Sequence, residues 1–504
     1  MTADRAYEKT RELLKYYNQD HLLAFWDRSD PEQQKNLLTQ IGRLDLKVIH
    51  GWVQSHLKEE DQEQEQGEQS SQQPIPDELN PDDLTPSPYY RAYPTGPEQA
   101  ARYEKAAKTG KKLISEGKVA ALVVAGGQGT RLGFDDPKGN FPISPVKGKT
   151  FFRIFAETIA AVSRKFDAVC PWYVMTSPLN HDRTAEIFRQ NAFYGLKEAD
   201  VFIFQQGTLP NLDPKGRILL AAKDEIACSP DGHGGAFKAL AQSGALSDMK
   251  SRGIEYISYW QVDNPLVKLF DPLFIGLHAL ERSEMSSKAV IKSGPFEKVG
   301  NFCLLKQNLN VIEYSEFNKM PDNQAPFGPD GQPPKLAERK NPDGSLVFRL
   351  GSIAIHVIST SFVERLNAAE PLPLHRADKS ISCIDPGGNL AEPAERDGIK
   401  LERFIFDALP LAANPVVLET IREQEFAPTK NATGVDSVYT TRRMMISLAA
   451  DWLESAGLSV PRKPAPDCLL EIAPSFGVGE EDVRRKLGKI LGLKPGDELY
   501  LNQD

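Results

Sequence analysis

Residues Leu122 to Gly139 read LVVAGGQGTRLGFDDPKG, a short apolar run followed by a glycine-rich turn that carries an arginine and a lysine. Val124 and Ala125 close the β-compatible run that begins at Leu122, and the run predicts the end of a buried strand. Gly126, Gly127 and Gly129 lack a Cβ, so the backbone there can turn sharply and approach a ligand. Backbone N–H groups in such a turn can converge on an anion. Arg131 adds a planar fork and Lys138 a mobile point charge, the two kinds of cation that phosphates recruit. An ordinary strand-to-helix turn with two surface cations is the plain alternative. The whole string, with its glycines and both cations, points instead to a nucleoside triphosphate held by its phosphates.

Neither common phosphate loop fits. A P-loop needs Lys and then Ser or Thr after its second glycine, and here Gly129 is followed by Thr130 and Arg131. A dinucleotide fingerprint wants an acidic residue about twenty positions on, at the end of a second strand. In this chain Pro145 to Phe152 is basic and then opens a helix. A dehydrogenase reading therefore rests on the glycines alone.

The surrounding chain predicts the architecture that such a loop needs. QAARYEKAAKTGKKLISEG suits a helix and VAALVVA a strand; in TFFRIFAETIAAVSRKF, Phe151, Ile154, Phe155, Thr158, Ile159 and Val162 share one helical face. WYVMTS, VFIFQ and EYISYWQV read as further strands. Strands alternating with helices predict an α/β fold, a doubly wound, mainly parallel sheet. Ligands bind such sheets at the carboxyl ends of the strands. The glycine-rich turn, Gln205–Gln206 and Asp263 all fall at or just beyond such ends, which predicts that they share a site.

The expected division is 1–99 as an N-terminal region, 100–404 as the central domain and 405–504 as a C-terminal domain. Residues 3–56 read as helical, with Leu13, Leu14, Leu22, Leu23, Phe25 and Trp26 apolar. Residues 58–88 are rich in Glu, Gln, Ser and Pro and predict a linker or long surface loop, because they bury too little apolar area to offset chain entropy. The Pro/Gly/Asp-rich stretch 321–345 predicts a loop between strands. Beyond 405, short strands and the helices DSVYTTRRMMISLAADWLESAG and EEDVRRKLGKILG predict a small α+β region.

Composition narrows the class. Charged residues at 26% and apolar residues at 40% are those of an ordinary soluble protein. No apolar run approaches the roughly 20 residues of a membrane helix. Five dispersed cysteines (Cys170, Cys228, Cys303, Cys383, Cys468) predict free thiols in a reducing compartment, hence a cytoplasmic protein. A formal charge of −9 gives no general pull toward nucleic acid or anionic membrane, so cations that hold anionic substrates must be concentrated locally.

The loop resembles the signature of the nucleotide-sugar pyrophosphorylases, specifically the eukaryotic-type UDP-N-acetylhexosamine pyrophosphorylases of the UDPGP type 1 family. Gly126 to Gly133 with Pro137, Lys138 and Gly139 match GGxGTRLG and PKG in full. The resemblance continues in order through PWYVMTS (171–177), FQQGTLP (204–210), PDGHGG (230–235), VDNPLVK (262–268), VIEYSE (311–316), GIKLERFIFD (398–407) and FAPTKN (426–431). It spans roughly residues 100 to 450. It implies the nucleotide-diphospho-sugar transferase fold, a GT-A-like Rossmann arrangement. The implied reaction joins UTP to an N-acetylhexosamine 1-phosphate, GlcNAc 1-phosphate above all, and releases pyrophosphate.

Both reactants are polyanions, so positioning and charge neutralisation must provide most of the acceleration. Arg131 and Lys138 are the first catalytic candidates, for the β/γ phosphates and the charge developing on the departing pyrophosphate. Asp263 ends an apolar strand, where a carboxylate could hold Mg²⁺, with Mn²⁺ as an alternative; an Asp-Asn there also suits a turn or helix cap. The resemblance places Asp263 at the nucleotide and Asn264 near the sugar. It implies that Val124, Ala125, Gly126, Gly127 and Gly232 meet the nucleotide, and that the Gln206 amide reads uracil, for which its paired donor and acceptor suit. It further implies that Glu313 accepts sugar hydroxyls and that Gly300 leaves room for the N-acetyl group. Lys400, a third catalytic candidate, and Lys430 would hold phosphates; without the motifs each reads as a surface lysine. His233 stands where the family often has Asn on the sugar. The C-terminal region, through Lys430, is expected to close over the sugar.

Two rivals accompany this reading. A UDP-glucose or broad-specificity UDP-sugar pyrophosphorylase shares the chemistry and differs only at the sugar 2-position. An inactive regulatory homologue could lose its cations, yet Arg131, Lys138, Lys400 and Lys430 are all retained. A monomer and a homodimer both fit the sequence.

Overall fold

The computed structural model describes residues 3–57, 80–325, 332–391, 398–488 and 492–503. The chain divides into two compact units, each assembled from separated segments. Unit 1 comprises Met1–Pro74, Gly207–Gly235 and Leu372–Ile405, and unit 2 comprises Ile75–Gln206, Ala236–Pro371 and Phe406–Asp504. These boundaries differ from the three contiguous segments read from sequence. Most of the expected linker, 58–79, lies outside the described residues, as does 326–331 of the expected loop. The end of the expected linker is ordered differently: Leu84–Pro86 forms an edge strand of the large sheet.

Unit 2 is built on a mixed ten-stranded sheet. Its strands are β1 (Leu84–Pro86), β2 (Val119–Val124), β3 (Trp172–Thr176), β4 (Val201–Gln205), β5 (Tyr256–Gln261), β6 (Met285–Ile291), β7 (Gly300–Leu305), β8 (Asn308–Ile312), β9 (Leu350–Ser359) and β10 (Val416–Glu419). Strands β5, β2, β3 and β4 lie side by side and parallel, which is the doubly wound heart that the sequence predicts. β2 is apolar along its whole length because a central parallel strand is covered on both faces. The sheet continues antiparallel through β9 to β6 and β7, and β10 pairs parallel with β6.

Helices cover both faces. On one, Pro97–Ser115, Phe151–Phe166 and Pro272–Leu280 pack with Ala121, Val123, Val174 and Trp260. Phe151, Ile154, Phe155, Ile159 and Val162 are buried there, the face read from the helical period. On the other, the Tyr173 hydroxyl donates to Asp248 Oδ2 at 2.5 Å from the helix Ala245–Ser251. The C-terminal residues belong to this unit. The helix Val438–Ser455 and the parallel strands Leu469–Ile472 and Glu498–Leu501 share a small core with Leu453, Leu470 and Val483.

Unit 1 gathers the N-terminal helices Ala3–Tyr16, Pro31–Ile41 and Leu46–His56 around strands from the other two segments. Leu14, Leu22, Leu23, Phe25, Ile41, Ile49 and Trp52 pack with Leu212, Ile218, Ile226, Leu374, Ile399 and Leu401. Leu13, expected in the apolar face, is 47% exposed. Polar bonds fix the assembly: Gln19 Nε2 donates to the Gly216 carbonyl at 2.9 Å, and Trp52 Nε1 to the Leu374 carbonyl at 3.2 Å.

Candidate active site

The glycine-rich loop leaves the carboxyl end of β2 as a closed turn. The Lys138 amide donates to the Gly127 carbonyl and the Gly129 amide to the Asp136 carbonyl, each at 3.1 Å. A 3₁₀ turn over Thr130–Leu132 carries Arg131, and Gly133 ends it at φ +67°. The backbone N–H groups of Gly126, Gly127 and Gln128 find no acceptor among the described residues. Gly127 and Gln128 are exposed and Gly126 is half-buried, so the loop carries unpaired donors at the surface.

The base of the loop is braced by a residue that sequence reading missed. Asn180 is buried, and its Nδ2 donates to the carbonyls of Ala125 at 2.9 Å and Gly127 at 3.3 Å. Its Oδ1 accepts from the Ser177 amide at 2.9 Å. Asn180 lies just past the motif PWYVMTS, and no periodic signal marks a single polar residue in a turn. The Ala125 amide donates to the Met175 carbonyl at 2.7 Å, and the Val124 carbonyl accepts from the Val262 amide at 3.1 Å. The loop is thus strapped to both neighbouring strand ends.

Gln206 follows the carboxyl end of β4 and is buried, its amide donating to the Thr176 carbonyl at 2.8 Å. A Cβ on Gly126 would lie 2.6 Å from Gln206 Oε1. A side chain at 126 would have to displace this carboxamide, and the two candidate nucleotide contacts are neighbours.

Asp263 follows β5, and its Oδ2 lies 3.3 Å from Lys138 Nζ, with each side chain 14% exposed. Of the two acids in the loop, Asp135 is exposed and Asp136 is held by Arg183 at 2.7 Å, and that guanidinium keeps the Asp136 carboxyl below the usual range. Arg131 is exposed on the loop and makes no ion pair among the described residues.

Asn264, expected near the sugar, is bonded to backbone. Its Nδ2 donates to the Glu425 carbonyl at 2.8 Å and its Oδ1 accepts from the Ala427 amide at 3.0 Å. The carboxamide thus stitches the Asp263 turn to the segment bearing Lys430, and the Thr429 amide adds a bond to the Asp263 carbonyl at 2.9 Å. Glu425 anchors that segment from below, where its Oε1 lies 2.5 Å from the buried Lys288 ammonium. Asp436, whose carbonyl accepts from the Lys430 amide at 2.7 Å, has its carboxyl raised chiefly by burial; Lys430 opposes the rise and Asp263 adds to it. Asp263, Lys430 and Asp436 therefore share one electrostatic neighbourhood.

β7 begins alongside the first residues of β9 and runs outward past them, with β8 on its far side. The register Asn301↔Ile312 sets Gly300 opposite Glu313 one step further on. The two positions assigned to the sugar are thus brought together. A Cβ at Gly300 would meet Val311 Cγ1 at 2.5 Å, so strand packing alone already demands glycine there.

Gly232, His233 and Lys400 are on unit 1. Gly232 has φ +82° and a Cβ there would lie 2.4 Å from the Arg403 carbonyl oxygen, so its own chain demands the glycine. His233 Nδ1 accepts from the Ile405 amide at 3.0 Å, and its ring stacks on Phe404 at 5.4 Å. Accepting at Nδ1 leaves the neutral ring's proton on Nε2. Lys400 pairs with Glu402 at 2.6 Å. The ligand roles of these three rest on the resemblance alone.

Among the described residues there is no group of three or more His, Cys, Asp or Glu able to hold a metal ion. No helix there is long and apolar enough to cross a membrane. None of the five cysteines is in a disulfide, and three are buried.

A mixed sheet, parallel at its centre, with unpaired backbone donors at its carboxyl edge and helices on both faces defines the α/β class, and comparison with known proteins narrows it. The family described as UTP–glucose-1-phosphate uridylyltransferase matches residues 89–326. The human protein named UDP-N-acetylhexosamine pyrophosphorylase-like protein 1 is 34% identical over 494 residues, covering 93% of this chain and 92% of its own. The Saccharomyces cerevisiae UDP-N-acetylglucosamine pyrophosphorylase is 34% identical over 395 residues, covering 76% of this chain and 79% of its own. In structure the chain is similar to the uridine diphosphate N-acetylglucosamine pyrophosphorylase of Trypanosoma brucei, solved with an inhibitor. That match has a TM-score of 0.74 at 25% identity, covering 96% of this chain and 95% of that one. The chain belongs to the UTP–glucose-1-phosphate uridylyltransferase family, among its UDP-N-acetylhexosamine pyrophosphorylases.

Proposed function

We propose that the protein transfers UMP from UTP to N-acetyl-α-D-glucosamine 1-phosphate, forming UDP-N-acetylglucosamine and pyrophosphate. The observation that carries this reading is the glycine-rich loop itself: unpaired backbone N–H groups beside Arg131 and Lys138, closed against Asp263. A phosphate oxygen of the sugar 1-phosphate attacks the α-phosphorus of UTP in line. The bond from that phosphorus to the bridging oxygen breaks, and pyrophosphate leaves with the electron pair.

The loop donors and Arg131 hold the triphosphate, and Lys138 compensates the charge that grows on the leaving group. Gln206, beside Gly126, is suited to pair with the uracil edge. Lys430 balances the sugar phosphate, and Gly300 with Glu313 frames the N-acetylated side of the sugar. Asp263 fits Mg²⁺ in one way only: a single carboxylate shared with substrate phosphates and water, since no all-protein cage is present among the described residues. When bound there, the ion screens charge between the phosphates. The site is read as cytoplasmic on the strength of its free thiols.

The test is turnover with UTP, Mg²⁺ and either GlcNAc 1-phosphate or glucose 1-phosphate, read as pyrophosphate release. A clear preference for GlcNAc 1-phosphate is expected. Preference for glucose 1-phosphate would assign the protein to the UDP-glucose reaction, and no release with either would make it a silent homologue.

A further inference from the structure

Lys292 has no part in the chemistry above, yet it is buried to 6% exposure at the carboxyl end of β6. Buried lysines ordinarily pair with a carboxylate. This one has no carboxylate within ion-pair distance among the described residues. Its Nζ donates to Asn301 Oδ1 at 2.6 Å and to the Pro295 carbonyl at 3.3 Å, and it lies 5.4 Å from the centre of the Phe317 ring. Holding an ammonium among neutral acceptors costs stability that a methionine of similar length would not.

Its three contacts converge on the sugar side. β6 runs in the same direction as β2, because both are antiparallel to the chain reached through β9, so Lys292 lies at the ligand edge. Asn301 adjoins Gly300. Phe317 donates its backbone N–H to the Glu313 carbonyl at 2.9 Å. One ammonium therefore ties the start of β7 to the short helix Tyr314–Phe317, which are the two pieces that carry Gly300 and Glu313.

We propose that Lys292 is a positioning residue for the sugar: it sets the spacing between Gly300 and Glu313 and so governs recognition of the N-acetylhexosamine 1-phosphate. This rests on the reading of that site given above. Burial supports it by holding the Lys292 ammonium down at about 8, against the pull of Glu297. Glu297 is itself paired with Arg422 at 2.6 Å. The clamp is thus in its charged form at neutral pH and loses its proton in mildly alkaline solution.

The experiment is steady-state kinetics of the full chain across pH. In K292M, KM for GlcNAc 1-phosphate should rise about ten-fold, the scale of one charge-assisted hydrogen bond, while KM for UTP stays within about two-fold. In the unaltered protein, KM for the sugar phosphate should climb above about pH 8, and K292M should lack that rise. N301D gives the ammonium a carboxylate and should move the rise to higher pH; it decides the matter if K292M does not fold. Equal effects on both substrates, or an alkaline rise unmoved in N301D, would overturn the proposal while leaving the activity intact. An unaltered protein without activity on GlcNAc 1-phosphate would remove the activity reading, and this inference with it.

Discussion

The ammonium of Lys138 and the carboxylate of Asp263 lie 3.3 Å apart, though 125 residues separate them in the chain. One belongs to the loop after β2 and the other to the turn after β5, two adjacent parallel strands. Without nucleotide, the cation assigned to phosphate and the carboxylate assigned to metal neutralise each other. A metal–triphosphate would offer each a new partner, phosphate for Lys138 and the metal for Asp263, so that the site would stay charged and formed without either group left unpaired.

This exchange predicts a large kinetic cost for removing the lysine. K138A should lower kcat about a hundred-fold, the usual loss when one donor to developing charge is deleted. R131A should lower it by more than about ten-fold on the same grounds. Stopped-time assays of pyrophosphate release measure both, and unchanged turnover in both variants would mean that the catalytic cations lie elsewhere.

Asn180 acts on the loop from behind. N180A leaves the Ala125 carbonyl and the Ser177 amide short of a buried partner, a loss of about 1–3 kcal/mol, while the Gly127 carbonyl keeps the Lys138 amide. Chemical denaturation should show that loss. KM for UTP should rise with it, because the loop donors are no longer held in one arrangement. A destabilised variant with unaltered KM for UTP would separate the brace from the binding function.

Gly126 faces Gln206. In G126A the new methyl would stand 2.6 Å from Gln206 Oε1 and must push the carboxamide aside. Discrimination between UTP and CTP should fall, since the amide would no longer meet the pyrimidine edge squarely. Unaltered discrimination in a folded G126A would remove Gln206 from base recognition.

Much of this site was legible in the residues, and the remainder was not for physical reasons. The loop, the strands β2 to β5 and the placing of Gln206 and Asp263 follow from glycine chemistry and hydrophobic period, which are local signals. Unit 1 was not legible, because its core joins Trp52 to Leu374 and Gln19 to Gly216 across hundreds of residues. Asn180 and Lys292 are isolated buried polar residues whose several contacts no period reveals. Asn264 matched a motif, but only the structure shows its carboxamide spent on the backbone of Glu425 and Ala427. A division falls at Ile405/Phe406, but residues beyond it join the large sheet's unit, because β10 completes that sheet.

Stability should depend on pH through His278. This ring is fully buried between Ser286 and Ser359 hydroxyls, and burial lowers its pKa from 6.5 to about 3. The folded state thus keeps the ring neutral while the unfolded chain takes up a proton below 6.5. Its contribution is complete above 6.5 and is lost as pH falls toward 3, at up to about 1.4 kcal/mol per pH unit. Denaturation midpoints measured from pH 7 to pH 4 should fall, and H278Q should flatten the slope; an equal slope in H278Q would exclude this ring as the source.

The most direct test of the account is a crystal structure with UTP and Mg²⁺ bound. The account predicts the triphosphate lying against the backbone N–H groups of Gly126 to Gln128, with Lys138 drawn from Asp263 onto a phosphate oxygen. A triphosphate bound away from this loop, with Lys138 still paired to Asp263, would contradict it.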